Sequence, residues 1–354
     1  MSRREAYSWK CDRPAAFHGT RPRGAPDATL GGALGEELRR HFTATTVALR
    51  PGPGQGNHLT WIAEVDGRSL FVRVEDGPEG DGHLAVESAV LERVREAGVP
   101  TPRVFGCDAS RRRVPFAWQA LERIDVPDLN HWFREGGLDH DAVAPAIGRA
   151  VARWQAIVPR GFGVLDTGLD GAWPAYADFY HLRLDEHLDF LVRHGLIGPA
   201  LRTGIATEIE RHRALLDLDG ACLVHKDLAL WNILGTADRI VAFIDFDDAV
   251  GGDPLDDLSL LGCFHDGPFL SRALAGYASV RPLPAEHRRR FWMHLLRNMI
   301  VKGVIRVGAN YFQRDGGLFL IGRGGTGADL RRLTVDRIER ALQGLRDDEG
   351  VDAL

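Results

Sequence analysis

A short stretch past the middle of the chain carries polar residues of types that bind metal ions and move protons. Residues 223–234 read LVHKDLALWNIL, so an apolar run leads to His225 and Asp227, and Asn232 follows Asp227 by five residues. Asp245 stands thirteen residues beyond Asn232, inside the apolar segment VAFIDF. A lone histidine or aspartate would favour a buried structural role, but this ordered set, flanked by apolar strand residues, favours chemistry.

Phosphoryl transfer to a hydroxyl group needs a set of this kind. One carboxylate orients the attacking hydroxyl and accepts its proton, while an amide oxygen and a second carboxylate hold the Mg²⁺ that offsets phosphate charge. The segment after Asn232 can form a hairpin that turns near residues 237–238 and pairs Asn232 near Phe243. Asp245 would then lie about two residues away, or roughly 7 Å along a strand. The spacing therefore predicts that both side chains can reach one metal cluster.

The stretch resembles the signature of aminoglycoside phosphotransferases and their relatives, which is His-x-Asp, an Asn five residues later, and then Ile-Asp-Trp or Ile-Asp-Phe. Members of this family adopt a protein-kinase-like fold. The resemblance implies that Asp227 is the catalytic base and that His225 is structural. It also implies that Asn232 and Asp245 bind Mg²⁺ and that the phosphoryl donor is ATP or GTP.

A second stretch, GDPLDDL at residues 252–258, resembles the family's G-D-P-x-x-D-L. In the family, the position of Asp257 supports the catalytic loop and takes no part in the chemistry. The chain departs from the family's usual Gly, Pro and Gly around the catalytic Asp, where it has Lys226, Leu230 and Trp231. These departures bear on the acceptor molecule more than on phosphoryl transfer.

The N-terminal half contains a glycine-rich stretch between two strand patterns, where kinase-like folds place a flap over the nucleotide phosphates. Backbone N–H groups without obstructing side chains can approach phosphate there. A plain Gly/Pro turn would have a similar composition. The residues of this predicted nucleotide-binding loop are Gly54, Gly56, Asn57 and His58.

Arg73 follows this loop on the next strand pattern, at the position where the family has a basic residue that pairs with phosphates and with a helix carboxylate. Glu87, fourteen residues later in a helical pattern, is the candidate for that carboxylate. Many kinases use lysine at this position, but the chain has three lysines and none between residues 10 and 226. Arg73 must therefore be the basic residue that pairs with the phosphates, unless Arg73 and Glu87 form only a surface ion pair.

Hydrophobic periodicity divides the chain into a small β-rich part and a larger, mostly helical part. Strand patterns at 59–65 and 70–74 flank Asp66-Gly67, which predicts a β-hairpin. Another strand pattern covers residues 115–121, and helical patterns dominate from about residue 139 onward. The other predicted helices cover residues 83–97, 178–194, 205–217, 285–308 and 330–345.

Together with the resemblance, this layout predicts an α+β, bilobal, protein-kinase-like fold with a small β-rich N-terminal lobe and a larger, mostly helical C-terminal lobe. The nucleotide-binding lobe is expected at residues 29–123 and the catalytic and substrate-binding lobe at 124–354. Leu121 and Ile124 would belong to the hinge, whose backbone meets the edge of the nucleobase. Residues 1–28 are rich in Arg, Pro and Gly without periodicity, and they are predicted to be a flexible arm.

The composition limits the classes of protein and partner. The 354 residues are 44% hydrophobic and 26% charged, as is typical of a globular protein with a sizeable core. A formal net charge of −5 argues against a nucleic-acid partner, and no apolar run reaches the roughly 18 residues of a membrane span. The cysteines are far apart and the N-terminus has no apolar signal segment. We therefore expect a cytoplasmic protein without a disulfide framework or zinc site.

The acceptor is less constrained by the sequence. Kinases of polycationic aminoglycosides need an acidic pocket, and the chain offers candidate carboxylates, although such residues more often form a solvated face. Residues 288–306 are basic, which argues against a polycation. The acidic candidates are Asp178, Asp185, Glu186, Asp189 and Asp266, and the aromatic candidates for stacking are Trp132, Trp173 and Trp231.

The sequence thus predicts a kinase that moves the γ-phosphoryl group of ATP or GTP to a hydroxyl group of a small molecule. The first expectation is an antibiotic, with inactivation or self-resistance as the outcome. An aminoglycoside, a nucleoside-like compound, a macrolide and a metabolic alcohol or sugar all stay open. A non-catalytic pseudokinase is the alternative from another class, but it has no need of both metal ligands. A protein kinase is disfavoured because the chain lacks an Ala-Pro-Glu element and a long activation segment after Asp245.

Overall fold

The structure, a computed structural model, describes residues 9–12, 28–53, 58–77, 80, 82–316 and 324–354. Its N-terminal region is built on an antiparallel sheet of five strands in the order β1-β2-β3-β5-β4. These strands are β1 Val47–Pro51, β2 Leu59–Val65, β3 Arg68–Glu75, β4 Val104–Asp108 and β5 Ala117–Glu122. Helix α1, Ala28–His41, precedes the sheet, and helix α2, His83–Glu96, lies between β3 and β4 in the chain.

Side-chain alternation along β3 divides the two faces of this sheet. Val72 and Val74 belong to a small core that also contains Leu34 and Leu38 of α1. Arg73, between the two valines, therefore faces the other side of the sheet. This alternation brings Arg73 to α2 and to the helical region beyond it.

The predicted hairpin of β2 and β3 is confirmed. Asp66 and Gly67 form its two-residue loop, with φ of 47° and 81°, which are the left-handed values of a type I′ turn. The Asp66 carboxylate accepts hydrogen bonds from the backbone N–H groups of Thr45 and Thr46, at 3.2 and 2.7 Å. This contact fixes the turn against the chain that enters β1.

The C-terminal region is mostly helical, and its helices share a large core of buried aliphatic and aromatic side chains. The helices are α3 Leu129–Arg134, α4 His140–Trp154, α5 Tyr176–His181, α6 Leu184–Arg193, α7 Pro199–Arg211, α8 Asp256–Gly262, α9 Gly267–Ala278, α10 His287–Gly308 and α11 Gly327–Asp347. The strands are β6 Phe162–Leu165, β7 Gly171–Trp173, β8 Cys222–Val224, β9 Ile233–Gly235, β10 Ile240–Phe243 and β11 Val250–Gly252. They form a sheet in the order β7-β6-β11-β8 and a separate β9-β10 hairpin.

Several helical segments differ from the expectation, and three helices, α3, α8 and α9, are not predicted individually. The segment predicted as one helix over 178–194 is two helices, α5 and α6, because Arg183 has a left-handed φ of 56° that breaks the helical path. Helix α1 is absent from the sequence-based expectation because its three glycines weaken the helical pattern. The other predicted helices and the strand near 115–121 are confirmed with shifted ends.

The hairpin that carries the predicted metal ligands turns over residues 236–239, as expected. Its register differs by one residue from the prediction, which paired Asn232 near Phe243. The Ile244 N–H donates to the Asn232 carbonyl at 3.0 Å, and an irregularity in the pairing of β10 accounts for the shift. Asn232 thus lies one residue nearer to Asp245 than expected.

The division into a β-rich N-terminal region and a helical C-terminal region confirms the predicted α+β class. The lobe boundaries at 28/29 and 123/124 stay a prediction. Within the predicted arm, Trp9–Asp12 is described, and it packs against the C-terminal region. No helix in the described parts of the chain has the length and apolar character that crossing a membrane requires.

Helices α4 and α9 approach closely at Gly148, where a Cβ would overlap the carbonyl oxygen of Ala273 and lie 2.7 Å from the backbone nitrogen of Tyr277. We expect Gly148→Ala to destabilise the protein by about 1–3 kcal/mol through overpacking. Gly32→Ala in α1 is the matched control. No atom beyond the neighbouring residues and the backbone of the helix lies within 4 Å of a Cβ there, and alanine favours a helix over glycine by roughly 1 kcal/mol. Urea unfolding checks both variants, and a Gly148→Ala midpoint at or above the wild-type value contradicts the prediction.

Candidate active site

A buried carboxylate of α8 holds the loop that follows β8. Asp257 is fully buried, and its Oδ2 accepts hydrogen bonds from the His225 N–H and the Trp154 indole N–H, both at 3.0 Å. Its Oδ1 accepts from the Lys226 N–H at 3.1 Å. Burial raises the pKa of Asp257, although His225 and the backbone N–H groups oppose that shift. Asp257 therefore has the contacts of a residue that supports the loop.

His225 is completely buried, and both of its ring nitrogens are engaged. Its Nδ1 accepts from the Asp227 N–H at 3.3 Å, so Nε2 carries the proton and donates to the Ile244 carbonyl at 3.0 Å. The ring lies against Phe246, with centroids 4.2 Å apart. His225 links the loop to the end of the β9-β10 hairpin and leaves no ring nitrogen for proton transfer.

Lys226 has a left-handed φ of 67°, which costs a non-glycine residue about 1–2 kcal/mol. The family that the sequence resembles usually has glycine here. The Lys226 Nζ lies 2.6 Å from Asp256 Oδ2 and donates to Asn298 Oδ1 at 3.0 Å. These contacts with the helical region offset the strain of the departure from glycine.

Asp227 presents one carboxylate oxygen to the cleft. Its Oδ2 accepts from Lys10 Nζ at 2.8 Å and from Asn232 Nδ2 at 3.4 Å. Lys302 Nζ lies 3.9 Å from Oδ1, and no residue in the described part of the chain donates a hydrogen bond to this oxygen. With its side chain 13% exposed, Asp227 can accept a proton through Oδ1.

Asn232 immediately precedes β9, and Asp245 follows the end of β10 by two residues, so both lie at the open end of the β9-β10 hairpin. The Asn232 Nδ2 donates to the Asp227 carbonyl at 2.8 Å, so its Oδ1 is left without a donor among the described residues. Asp245 has a left-handed φ of 68°, and its Oδ1 lies 2.8 Å from Arg73 Nη2. Burial and the neighbouring Asp247 carboxylate raise the pKa of Asp245. Amide and carboxylate oxygens beside crowded negative charge suit Mg²⁺, so these residues fit such an ion.

Arg73 connects the sheet to the carboxylates of the cleft. Its Nη1 forms an ion pair with the fully buried Glu87 of α2, and its Nη2 lies 3.8 Å from Asp247 in addition to its contact with Asp245. Burial lowers the pKa of Arg73, but these carboxylates raise it above its ordinary value overall. Burial also raises the pKa of Glu87, although Arg73 opposes that shift. The pair is therefore buried, and the alternative of a surface ion pair is wrong.

His58 is the described member of the predicted nucleotide-binding loop. Its ring lies between two carboxylates, with Nδ1 3.3 Å from Glu75 Oε2 and Nε2 3.2 Å from Asp247 Oδ2. Burial and Arg73 lower the pKa of His58, but the two carboxylates raise it, and the net change is a rise. The predicted members that lie outside the described residues are Gly54, Gly56 and Asn57.

Two of the acidic residues predicted for the acceptor lie at the starts of helices in the C-terminal region. Asp178 is exposed in the first turn of α5, and Asp266 caps the N-terminus of α9. Trp231 lies in the catalytic loop; its ring contacts Phe264 at 4.7 Å, and the same Phe264 ring lies 4.8 Å from Lys302 Nζ. The two predicted hinge residues are a buried Leu121 and a half-buried Ile124.

A cavity of about 30 Å³ lies beside Asp227, between the loop and α10. All three lysines of the chain, Lys10, Lys226 and Lys302, line this cavity. In the sequence, the rarity of lysine indicates only that Arg73 takes the phosphate position. The convergence of the three lysines on one site is the finding that sequence reasoning missed.

The segment Trp9–Asp12 forms one wall of this cavity through Trp9 and Lys10. Trp9 is 2% exposed, and its ring stacks on Phe179 with centroids 4.7 Å apart. The guanidinium carbon of Arg297 lies 3.9 Å from the centre of the Trp9 ring. Such a cation–π contact contributes about 2 kcal/mol when it is desolvated, so the segment is firmly attached.

Lys10 is shared by two carboxylates. Its Nζ lies 2.8 Å from Asp227 Oδ2 and 2.9 Å from Asp248 Oδ2. Burial lowers the pKa of Lys10, but these carboxylates raise it, and the net value is well above the ordinary one. The ammonium group is therefore charged, and it covers one oxygen of the predicted base.

Cys11, Asp12 and His187 place one potential metal-ligand atom each within 4.8 Å of one another. Arg297 donates to His187 Nδ1 at 3.1 Å, so Nε2 carries the proton and donates to Asp12 Oδ1 at 2.8 Å. Arg183 lies 3.2 Å from the same Asp12 oxygen, and burial raises the pKa of the Cys11 thiol. The histidine nitrogen, the carboxylate and the thiol are thus engaged in docking the segment and are not free to bind a metal.

Comparison with known proteins identifies relatives of this fold. The model of a phosphotransferase enzyme family matches residues 48–292. A crystal structure of aminoglycoside phosphotransferase APH(4)-Ia superposes with a TM-score of 0.62 at 17% identity, over 89% of this chain and 99% of that chain. No curated protein sequence matches the chain.

Two further crystal structures are similar. A putative fructosamine-3-kinase from Haemophilus somnus 129PT has a TM-score of 0.59 at 14% identity, over 87% of this chain and 98% of that chain. Spectinomycin phosphotransferase APH(9)-Ia, in complex with ADP and spectinomycin, has a TM-score of 0.54 at 14% identity, over 94% of this chain and all of that chain. At such identities the likeness shows the fold alone, and it confirms the kinase-like fold that the sequence implies.

Removal of the Arg73 charge should leave Glu87 buried without its counter-charge. We expect Arg73→Met to lower the free energy of unfolding by about 3–5 kcal/mol. Arg93→Met is the matched control, because Arg93 forms an exposed ion pair with Glu96 that contributes at most about 1 kcal/mol. Equilibrium urea unfolding measures both, and an Arg73→Met protein as stable as Arg93→Met would refute the importance of the buried pair.

Proposed function

The chain belongs to the phosphotransferase enzyme family, and from this we propose that it transfers the γ-phosphoryl group of ATP or GTP to a hydroxyl group of a small molecule. One observation carries the proposal. Asn232, just before the β9-β10 hairpin, contacts Asp227, and Arg73, which is 172 residues away in the sequence, contacts Asp245 just after the hairpin. A base, two metal ligands and a phosphate-binding cation would thus stand in one cleft.

Asp227 Oδ1 is the atom that we assign to proton transfer. Its partner Oδ2 is held by Lys10 and Asn232, whereas Oδ1 accepts no hydrogen bond from the described residues. A hydroxyl group hydrogen-bonded to Oδ1 is oriented for attack and gives its proton to that oxygen. As the hydroxyl oxygen bonds to the γ-phosphorus, the bond to the β–γ bridging oxygen breaks and the nucleoside diphosphate leaves.

Asn232, through Oδ1, and Asp245 would hold Mg²⁺. The ion, when bound, offsets the negative charge of the phosphates. Asp245 lies in the negative field of Asp247, and this crowding favours a divalent cation beside it. The hydrogen bond from Asn232 to Asp227 ties these ligands to the base.

Arg73 would anchor the phosphates of the nucleotide. Its planar guanidinium can bind a carboxylate and a phosphate through separate N–H groups, and Glu87 holds it from the buried side. The proposed lobes are residues 29–123 and 124–354. The other proposed nucleotide contacts are Gly54, Gly56, Asn57 and His58 in the flap and Leu121 and Ile124 in the hinge.

An antibiotic is the first candidate for the acceptor. A mutant of APH(4)-Ia has been crystallised with ADP and hygromycin B, and APH(9)-Ia with ADP and spectinomycin. Phosphorylation of such a compound would inactivate it and give resistance. We propose the cytoplasm as the location, with which the four free cysteines agree.

The charge on the acceptor side favours a second candidate, a small metabolic alcohol or sugar. Lys302 and Arg306 are largely buried on α10, and burial lowers the pKa of both. Arg306 has no carboxylate partner in the described parts of the chain, and the nearest carboxylate to Lys302 is 3.9 Å away. Uncompensated positive charge disfavours a polycationic acceptor. A pseudokinase is disfavoured because the chain keeps the three residues that we propose as the base and the two metal ligands.

A nucleotide-consumption screen with Mg²⁺ over antibiotics, nucleosides and sugar alcohols tests the proposal, with ³¹P NMR to detect the phosphomonoester product. For any acceptor found, Asp227→Asn should lower kcat by about 10²–10⁴-fold, because an amide cannot take the proton. Nucleotide should still bind. The exposed Asp219→Asn is the control and should keep its turnover. If Asp227→Asn keeps more than about a tenth of wild-type turnover, Asp227 is not the base.

A further inference from the structure

The segment Trp9–Asp12 lies where an acceptor would have to approach the base. Lys10 Nζ is 2.8 Å from Asp227, and Trp9 lines the cavity beside it. The segment also bridges three helices of the C-terminal region, α5, α6 and α10. The helix residues that it contacts are Phe179, His187 and Arg297.

The space beside Asp227 is too small for an acceptor while the segment is in place. The cavity measures about 30 Å³, and one ordered water molecule needs roughly 10–15 Å³. It can therefore hold about two water molecules but no sugar, nucleoside or antibiotic. Such an acceptor can enter this space beside Asp227 only after Trp9 and Lys10 have moved away.

The contacts of the segment are those of a docked ligand. Trp9 is enclosed by an aromatic ring and a guanidinium group, Lys10 neutralises two carboxylates, and Asp12 pairs with Arg183 and His187. Because the segment belongs to the same chain, its effective concentration at this surface is in the millimolar range. It therefore stays bound in the absence of a competitor.

We propose that Trp9–Asp12 is an intramolecular occupant of the acceptor-binding surface, and that phosphoryl transfer requires its displacement. The inference rests on the proposed function, because that function assigns the acceptor hydroxyl to Asp227. The acceptor and the segment compete for one surface, and the segment holds Oδ2 of the base when no acceptor is bound. The docked segment also limits the water beside Asp227 to about two molecules, which slows the loss of ATP to water.

Hydrolysis of ATP reports the competition without knowledge of the acceptor. A water oxygen bonds to the γ-phosphorus, the bond to ADP breaks, and Asp227 takes the water proton, so ATP and water give ADP and phosphate. We expect the full-length Trp9→Ala/Lys10→Ala variant, with Mg²⁺, to hydrolyse ATP at least about tenfold faster than wild type. Lys10→Arg keeps the charge and should raise the rate less than Lys10→Ala.

The second part of the experiment adds the segment in trans. A synthetic peptide of residues 1–12 at millimolar concentration should reverse the increase in the double variant. The same peptide with alanine in place of Trp9 and Lys10 is the control and should leave the increase in place. An unchanged or lower hydrolysis rate in the folded double variant, or no effect of the native peptide, would overturn the proposal.

Cys11 reports the docking in the wild-type chain, so the proposal stays testable even where a variant fails to fold. Its thiol is 3% exposed. Iodoacetamide should therefore label Cys11 at least about tenfold more slowly in the native protein than in urea, as measured by mass spectrometry. Equal labelling rates would overturn the docking. Failure of the proposed function alone gives a different result. ATP hydrolysis would then be insensitive to Asp227→Asn, whereas Cys11 would still be protected from labelling by the docked segment.

Discussion

The site depends on how the fold compensates four aspartates that lie close together, Asp227, Asp245, Asp247 and Asp248. Their side chains are between 4% and 31% exposed, so water screens them poorly. Adjacent carboxylates in such an environment raise one another's pKa, as Asp247 together with burial does for Asp245. Cationic groups must therefore reach these aspartates from elsewhere in the chain.

This requirement ties three distant parts of the chain together. Arg73 reaches Asp245 from β3, His58 reaches Asp247 from the residue before β2, and Lys10 reaches the other two aspartates from the N-terminal segment. Each contact fixes a separate element against the loops that follow β8 and β10. We propose that the same concentration of negative charge attracts Mg²⁺ when nucleotide binds, so the charges that hold the cleft together also prepare it for phosphoryl transfer.

The sequence predicts the features that neighbouring residues encode. The order of polar residues from His225 to Asp245 predicts the motif-bearing hairpin, and the Asp66-Gly67 turn predicts the hairpin of β2 and β3, since each follows from spacing along the chain. The fold class follows from hydrophobic periodicity together with the family resemblance. The predicted register of the motif-bearing hairpin is wrong by one residue, because the irregularity in its strand pairing cannot be recognised from the side chains in the sequence. The docking of Lys10 is not predictable from local pattern, since Asp227 lies 217 residues away. The scarcity of lysine is the only feature of the sequence that relates to the docking of Lys10.

The most direct test of the central claim is a crystal structure of the chain with Mg²⁺ and a non-hydrolysable ATP analogue. The account predicts that Asn232 Oδ1 and Asp245 bind the same ion at about 2.0–2.1 Å, with Arg73 at the phosphates and Asp227 facing the γ-phosphate. A nucleotide bound elsewhere, or either metal ligand turned away from the ion, would contradict the assignment of this cleft to phosphoryl transfer.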